Sequence, residues 1–319
     1  MKARGARRKE KPARKTSAPG LQSLVTEEAN SASADLDTRS SLEIARIINR
    51  EDAKVAGAVA RSLPEIAKAI DLIAEALSSG GRLIYVGTGT SGRIAALDAA
   101  ECPPTFNTNL KMVQFIMAGG TKALVEATEA SEDSRALGRR EMAKKKPSHK
   151  DVIVGVAASG RTAFTISALQ YARSHRAKTV AVVCNRNSPL EKASDLAIVA
   201  EVGPEVVAGS TRMKAGTAQK MILNMLTTGA MTRLGYVYGN LMVNLHLKNE
   251  KLAERGIGIL EEAGRLSRAD SRRVLKAAHR SVPVALVMAK AGVSRVQALD
   301  ALTASRGHVR KAIERARSR

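Results

Sequence analysis

The 319-residue sequence contains no tryptophan, and aromatic residues make up only 2% of it. A protein that binds nucleic acid chiefly by stacking bases on aromatic rings is therefore a poor match. Cysteine is equally scarce, since Cys102 and Cys184 are the only two and neither belongs to a Cys-x-x-Cys pair. This usage argues against a disulfide scaffold or a zinc site, and it predicts a location in the reducing cytoplasm.

Long hydrophobic runs are also missing. No apolar stretch approaches the roughly 20 residues that a membrane-spanning helix requires. The basic N-terminus lacks the apolar segment of a secretory signal. Hydrophobic residues at 44% and charged residues at 26% are ordinary for a globular protein. We therefore expect a chain of one or two domains with no membrane partner.

Acidic residues are few relative to basic ones, 30 against 52, which gives a net charge of +22. Such an excess suggests a nucleic-acid partner, but much of it lies at the two ends. The first 19 residues carry eight Lys or Arg and one Glu, and residues 251–319 carry sixteen Lys or Arg and six acids. Terminal charge blocks are typically disordered. We therefore predict a disordered basic tail at residues 1–20 and no specific nucleic-acid partner.

Apolar spacing predicts an α/β fold. Residues 41–81 have Ile and Leu at helical intervals, and Pro64 marks the start of a second helix. Five short apolar runs then alternate with helical stretches. Strands are predicted at 82–87, 112–119, 151–158, 179–185 and 196–201, and helices at 92–100, 121–145, 162–175, 188–194 and 211–235. This rhythm predicts a three-layer sandwich with a mainly parallel sheet covered by helices on both faces. Residues 21–247 would form this domain, and 248–319 a small helical C-terminal domain.

Three predicted strand-exit regions share one chemistry: "GTGTSGR" (87–93), "SGRT" (159–162) and "GPEVVAGSTRMKAGT" (203–217). The first matches neither a Walker loop nor a dinucleotide-binding glycine pattern. A single such loop would be explained by turns and helix caps. Three of them at one sheet edge predict a phosphate pocket. The predicted binding residues are Gly89, Thr90, Ser91, Gly92, Ser159, Gly160, Arg161, Thr162, Ser210 and Lys214.

Two glutamates are candidate catalytic acids. Glu101 follows the predicted helix at 92–100, and the Pro103-Pro104 pair is expected to end that helix and hold Glu101 rigidly. Glu132 falls in the stretch predicted as helix 121–145, where a solvated surface acid is the simpler interpretation. Cys102 has no evident histidine partner, so we interpret it as a buried structural thiol.

Several segments closely resemble the N-acetylmuramic acid 6-phosphate etherases. They are "GRLIYVGTGTSGRIAALDAAECPPTF", "DVIVGVAASGRT", "GPEVVAGSTRMKAGTAQKMILNMLTTGAM" and "VYGNLMV". These etherases belong to the sugar isomerase (SIS) superfamily and are related to the glucokinase regulatory protein. The resemblance covers roughly residues 22–317. It implies an SIS-type sandwich, a cytoplasmic homodimer, a sugar phosphate as ligand, and no metal or organic cofactor.

The resemblance also implies an activity. Members cleave the C3 D-lactyl ether of N-acetylmuramic acid 6-phosphate, giving N-acetylglucosamine 6-phosphate and D-lactate in cell-wall amino-sugar recycling. The family glutamates fall on Glu101 and Glu132. By resemblance Glu101 protonates the departing lactate, and Glu132 is our candidate for removing the C2 proton of the opened sugar before water adds at C3. Thr88 and Asn244 depart from the usual Ala and Asp.

Other functions remain open from the residues. A non-catalytic sugar-phosphate sensor would need the three loops but not the two glutamates. An aldose–ketose isomerase would also remove a C2 proton from an opened sugar phosphate. One further expectation concerns Glu101, which lies ~13 Å along a helix from the first loop if residues 92–101 are helical. A hexose phosphate is shorter, so we expect Glu101 to reach a site shared with a second subunit.

Overall fold

The computed structural model describes residues 24–126, 131–245, 247 and 250–318. The predicted basic tail at 1–20 lies outside the described residues.

Two long helices precede the sheet, as the apolar spacing predicts. Helix α1 spans Ser41–Ala60 and begins with a capping box between Ser40 and Glu43. Helix α2 spans Leu63–Ser78 and has Pro64 in its first turn, where a missing N–H costs nothing. Short 3-10 turns between residues 25 and 38 lead into α1.

The sheet has five strands, and every neighbouring pair is parallel. The strands are β1 (Leu83–Gly87), β2 (Val113–Met117), β3 (Val152–Val156), β4 (Lys178–Val183) and β5 (Leu196–Val199). Their order is β2-β1-β3-β4-β5. Each overlaps a predicted strand, and β1 and β3 are buried along their whole length.

Helices cover both faces of this sheet. They are α3 (Gly89–Phe106), α4 (Arg135–Lys145), α5 (Ala163–Ser174), α6 (Pro189–Lys192) and α7 (Lys214–Arg233). Alternate strand residues point to opposite faces. Thus Tyr85 belongs to the hydrophobic cluster under α1, α2, α3 and α7, whereas Ile84 belongs to the cluster under α4 and α5. The predicted three-layer sandwich is confirmed.

Helix α3 is longer than predicted. Pro103 and Pro104 lie inside it, and it ends only at Phe106, where Asn107 adopts a left-handed φ of 54°. The expectation that the prolines end the helix before Glu101 is therefore wrong. Cys102 and Phe106 are both buried in the core one turn apart, so packing holds the last turn helical despite the two missing N–H donors.

The described residues 250–318 form five helices. They are α8 (Glu250–Gly264), α9 (Arg268–Ala277), α10 (Val282–Ala291), α11 (Arg295–Ala304) and α12 (Val309–Arg317). They share a hydrophobic cluster that runs from Val243 to Ala316. The division of the chain into domains at 21–247 and 248–319 stays a prediction. Within the described part of the chain, no single helix is long and apolar enough to cross a membrane. Helices α10 and α11 reach that length and apolar composition only when taken together, and the pair is bent by 107°.

Candidate active site

The sheet order places a crevice beside β1 and β3. The chain leaves β1 towards β2 on one side, and then returns to β3 on the other side of β1. In open parallel sheets, ligands bind beyond the carboxyl ends of the strands where the direction of the connections reverses in this way. The first two predicted phosphate loops follow β1 and β3, so the topology brings them together.

The first loop turns directly from β1 into α3. Gly89 has a φ of 48°, and Gly92 packs so closely that an added Cβ atom would lie 2.9 Å from Met117 Cγ. Thr88 occupies the N-cap position, but its side chain makes no capping hydrogen bond. The first-turn N–H groups, including those of Thr90 and Ser91, have no acceptor within an α-helix. They are therefore available to an anion.

The second loop has a similar design before α5. Gly160 has a φ of 66°, and a Cβ atom there would lie 2.4 Å from Ser188 Cβ. Ser159 Oγ accepts a hydrogen bond from the Arg161 N–H group at 3.2 Å. Thr162 is the N-cap residue of α5 and makes no side-chain capping bond. Ser159, Arg161 and Thr162 are all half-buried.

Glu132 connects these two loops. Its carbonyl oxygen accepts a hydrogen bond from Phe164 N at 3.0 Å, in the first turn of α5. Its Oε1 atom would lie 3.1 Å from a Cβ atom placed on Gly89. The prediction of a helix across this residue is wrong, because Glu132 lies in a turn and α4 begins only after the N-cap residue Ser134. The turn aims a carboxylate at the first loop, which a surface helix would not do.

Glu101 lies elsewhere. It is exposed on α3, and the continuous helix separates it from Gly89 by about 18 Å along the axis. The structure therefore brings Glu132 to the first two loops and leaves Glu101 far from the first loop of its own chain. Neighbouring Cys102 is buried, and burial raises the pKa of its thiol to about 12. A neutral thiol is a poor nucleophile, which agrees with the interpretation of Cys102 as a structural residue.

The third loop is attached to the N-terminal segment. Ser33 Oγ donates to Val206 O at 2.7 Å, and Asn30 Nδ2 donates to Pro204 O at 3.1 Å. Ser210 is half-buried in this loop, and its N–H group donates to Val207 O at 2.9 Å. The segment that precedes α1 thus fixes the loop that precedes α7.

Lys214 is buried in an ion pair. Its side chain is 1% exposed, and its Nζ atom lies 2.6 Å from Glu51 Oε2. Burial raises the pKa of Glu51, but hydrogen bonds from Lys214, Lys54 and Asn30 outweigh this effect and lower it to about 2. A direct phosphate contact by Lys214 stays a prediction, and it would require the ammonium group to exchange Glu51 for the ligand.

The N-terminus of α7 is also occupied by the protein itself. The buried carboxylate of Glu205 accepts hydrogen bonds from Lys214 N at 3.0 Å and from Ala215 N at 2.9 Å. Burial raises the pKa of Glu205, and these bonds oppose that rise. The first-turn amides of α7 thus bind a carboxylate of the chain.

Two buried polar residues, Gln219 and Asp98, are absent from the residues predicted above. Gln219 of α7 is 1% exposed, and its Oε1 atom accepts a hydrogen bond from Ser91 Oγ at 3.0 Å. Asp98 of α3 is buried and accepts from Tyr85 Oη at 2.8 Å and from Asn224 Nδ2 at 2.7 Å. A polar residue on the inward face of an otherwise apolar helix is the pattern that would have indicated them. Across the described residues, no group of three or more His, Cys, Asp or Glu side chains could hold a metal ion.

Comparisons with known proteins agree with this architecture. A model of the glucokinase regulatory protein N-terminal SIS domain matches residues 65–173, and a model of the SIS domain matches residues 136–229. The N-acetylmuramic acid 6-phosphate etherase of Klebsiella aerogenes is 47% identical over 92% of this chain and 98% of its own length. That of Clostridium beijerinckii is 46% identical over 92% of this chain and 97% of its own.

Solved structures are more distant. A putative phosphosugar isomerase from Bacteroides fragilis is 20% identical with a TM-score of 0.47, covering 65% of this chain and 98% of its own. A phosphoheptose isomerase from Francisella tularensis is 18% identical with a TM-score of 0.47, covering 61% of this chain and 100% of its own.

Proposed function

The chain belongs to the N-acetylmuramic acid 6-phosphate etherase family, and we propose that Glu132 and the two loops beside it form its reaction centre. As an etherase it is a carbon–oxygen lyase: it releases D-lactate from N-acetylmuramic acid 6-phosphate in amino-sugar recycling. The observation that carries the assignment of the site is the placement of Glu132, whose backbone is bonded to α5 and whose carboxylate lies against Gly89.

The phosphate is proposed to bind at the N-termini of α3 and α5. The N-cap residues of both helices make no side-chain capping bond, and helix N-termini attract anions through their first-turn N–H groups and their dipoles. The hydroxyl groups of Thr90, Ser91, Ser159 and Thr162 supplement these amides. Gly89, Gly92 and Gly160 keep the backbone close to the ligand, while Arg161 and Ser210 border the pocket.

Glu132 is proposed as the base. Once the sugar ring is open, the C1 aldehyde acidifies the C2 proton. Glu132 takes that proton as the C2–C3 double bond forms and the C3–O bond to lactate breaks. The lactate oxygen receives a proton from the general acid, and water then adds its oxygen to C3 and a proton to C2. An acid or a base of this kind contributes about 10²–10⁴-fold each.

Glu101 is proposed as the general acid, acting from a second subunit. Leu97, one helical turn before it, is 54% exposed. Asp98 joins α3 to Asn224 of α7, and Asn224 lines an apolar groove of about 650 Å³ between α2 and α7. An exposed acid beside apolar surface fits a homodimer in which each Glu101 reaches the partner's pocket. Such a contact would also cover the groove.

Three further features of the chain enter the proposal. Cys102 and Cys184 are buried free thiols, which suits the reducing cytoplasm. The helices that share the cluster from Val243 to Ala316 would form the small C-terminal domain. Lys214 is proposed to act mainly by holding the third loop through Glu51.

A direct test combines the substrate with a matched pair of variants. Purified protein is incubated with N-acetylmuramic acid 6-phosphate, and D-lactate is assayed. We expect Glu132→Gln to lose at least a hundredfold in turnover. Asp133→Asn is the control, because Asp133 is an exposed acid at the adjacent position, and it should retain activity. Equal activity of both variants would remove Glu132 from the reaction, whereas sugar isomerisation without lactate would overturn the assigned activity.

A further inference from the structure

Gln219 is a buried amide whose hydrogen bonds are only half satisfied. It lies on α7 with a side chain that is 1% exposed. Its Oε1 atom accepts from Ser91 Oγ at 3.0 Å, but its Nε2 atom is buried without a hydrogen-bond partner. Buried amide donors are rarely left unpaired in native proteins, because the loss of hydration is not compensated. An orphan donor next to a predicted phosphate ligand therefore calls for a functional explanation.

The contact determines where the proton of Ser91 points. A serine hydroxyl carries one hydrogen and two acceptor lone pairs. When Gln219 Oε1 takes that hydrogen, Ser91 can offer only lone pairs to the pocket. Phosphate oxygens are acceptors and need donors. In this arrangement Ser91 cannot donate to a phosphate at the N-terminus of α3.

Rotation of the amide resolves both problems at once. Turning the planar group by 180° about its last side-chain bond exchanges Oε1 and Nε2 without changing its shape. Nε2 would then donate to Ser91 Oγ, and the Ser91 hydrogen would become free for the phosphate. The vacated position would hold a carbonyl oxygen, and buried oxygens tolerate an unfilled lone pair better than N–H groups tolerate a missing acceptor.

The surroundings hold Gln219 in place for this exchange. Ala215, Ala218 and Ile222 are fully buried, so α7 cannot move away from the sheet without opening the core. A Cβ atom on Gly216, one turn before Gln219, would lie 3.5 Å from Thr90 Cγ2. The start of α7 thus packs directly on the first turn of α3.

We propose that Gln219 is a positioning residue that turns the Ser91 hydroxyl towards the substrate phosphate by exchanging its amide oxygen for its amide nitrogen. The inference rests on the proposed role of Ser91 in phosphate binding. It requires at position 219 a side chain that can both accept and donate a hydrogen bond. A carboxylate would accept only and hold the Ser91 hydrogen away from the ligand, and a thioether would leave the hydroxyl without an orienting partner.

The test is a double-mutant cycle between positions 91 and 219. Affinity for N-acetylglucosamine 6-phosphate, the product, is measured by calorimetry on the full chain, so no turnover is required. We expect Ser91→Ala to weaken binding roughly ten- to a hundredfold, as for loss of a hydrogen bond to a charged group. Gln219→Met should also weaken binding, and the double variant should bind no more weakly than Ser91→Ala alone.

Gln219→Glu is the second variant, in case the methionine variant does not fold. It should weaken binding more than Gln219→Met in the native background, and its effect should shrink when Ser91 is already alanine. In the Ser91→Ala background, the remaining effect of Gln219→Glu is repulsion between its carboxylate and the phosphate. Gln170→Glu is the control, because it adds the same charge at an exposed position of α5, and it should leave affinity unchanged.

The outcomes separate the two levels of the proposal. Additive losses from Ser91→Ala and Gln219→Met would overturn the positioning role while leaving the phosphate pocket intact. Unchanged affinity for Gln219→Met beside a loss for Ser91→Ala would do the same. Unchanged affinity for Ser91→Ala itself would overturn the pocket assignment and the role of Gln219 with it.

Discussion

Replacing Lys214 with methionine should destabilise the protein by about 3 kcal/mol. The lysine is 1% exposed and its partner Glu51 4% exposed. Removal of one partner from a buried ion pair typically costs about 3–5 kcal/mol, because the other charge stays buried without compensation. Glu51 keeps hydrogen bonds from Asn30 at 3.0 Å and from Lys54 at 2.5 Å, which places the expected loss at the lower end of that range.

The pKa of Glu51 reflects the whole network around its carboxylate, in which Lys214 is one of three hydrogen-bond donors. It is lowered from 4.5 to about 2 in the folded protein, and each pKa unit corresponds to about 1.4 kcal/mol. The carboxylate network therefore contributes about 3 kcal/mol. Because the folded pKa lies below the unfolded one, this stability is present above pH ~4.5 and is lost as the pH falls towards ~2.

Urea unfolding at pH 7 measures the predicted loss, and Lys54→Met is the matched control. Lys54 contacts the same carboxylate, but its side chain is 61% exposed, so its removal should cost less than about 1 kcal/mol. A loss below 1 kcal/mol for Lys214→Met, or equal losses for both variants, would refute the reasoning. The reasoning would also be refuted if Glu51→Gln lost as much stability between pH 4.5 and pH 2 as the native protein does.

Three further predictions concern the site, and a fourth concerns the N-terminal tail. Changing Ser91 and Ser159 together to alanine should weaken sugar-phosphate binding at least tenfold by calorimetry, and unchanged affinity would contradict the pocket. Mixing Glu101→Ala protein with Glu132→Gln protein, which keeps Glu101 but lacks the proposed base, should restore part of the activity, and no recovery would count against a shared site. In heavy water, Glu101→Gln should still exchange the C2 proton of recovered substrate while Glu132→Gln should not, and the opposite pattern would reverse the two roles. Deleting residues 1–20 should leave turnover intact, so a large loss would reveal a function for the tail.

The sheet and its loops could be predicted because they depend on local pattern. Strands such as β1 and β3 are buried on both faces, and that burial appears in the sequence as short continuous apolar runs. Glycines such as Gly160 stand where the backbone has a left-handed φ and no room for a side chain. An apolar run and a loop glycine are each local features of the sequence, so they can be recognised without knowledge of distant contacts.

The errors arise where tertiary packing overrides local preference. Pro103 and Pro104 normally end a helix, but the burial of Cys102 and Phe106 holds α3 in helical form to its end. Glu132 falls in the stretch predicted as helix 121–145, whereas in the structure a turn places its carboxylate at Gly89. In both cases the competing contacts come from other elements of the fold.

The helix N-termini show why three similar loops need not do the same work. The N-cap residues of α3 and α5 make no side-chain capping bond, and the first-turn amides of α7 bind the carboxylate of Glu205. A bound phosphate and a bound carboxylate satisfy the same N–H groups and the same dipole. At the N-terminus of α7, Glu205 therefore already occupies the place that an anionic ligand would take. From the sequence alone, a lysine among serines and glycines fits either a ligand or a buried acid, and Glu51 lies 163 positions away from Lys214. The geometry thus favours phosphate binding by the first two loops. The third loop is held by Glu205 and by the Lys214–Glu51 ion pair, and the helix that follows it supplies Gln219 to Ser91.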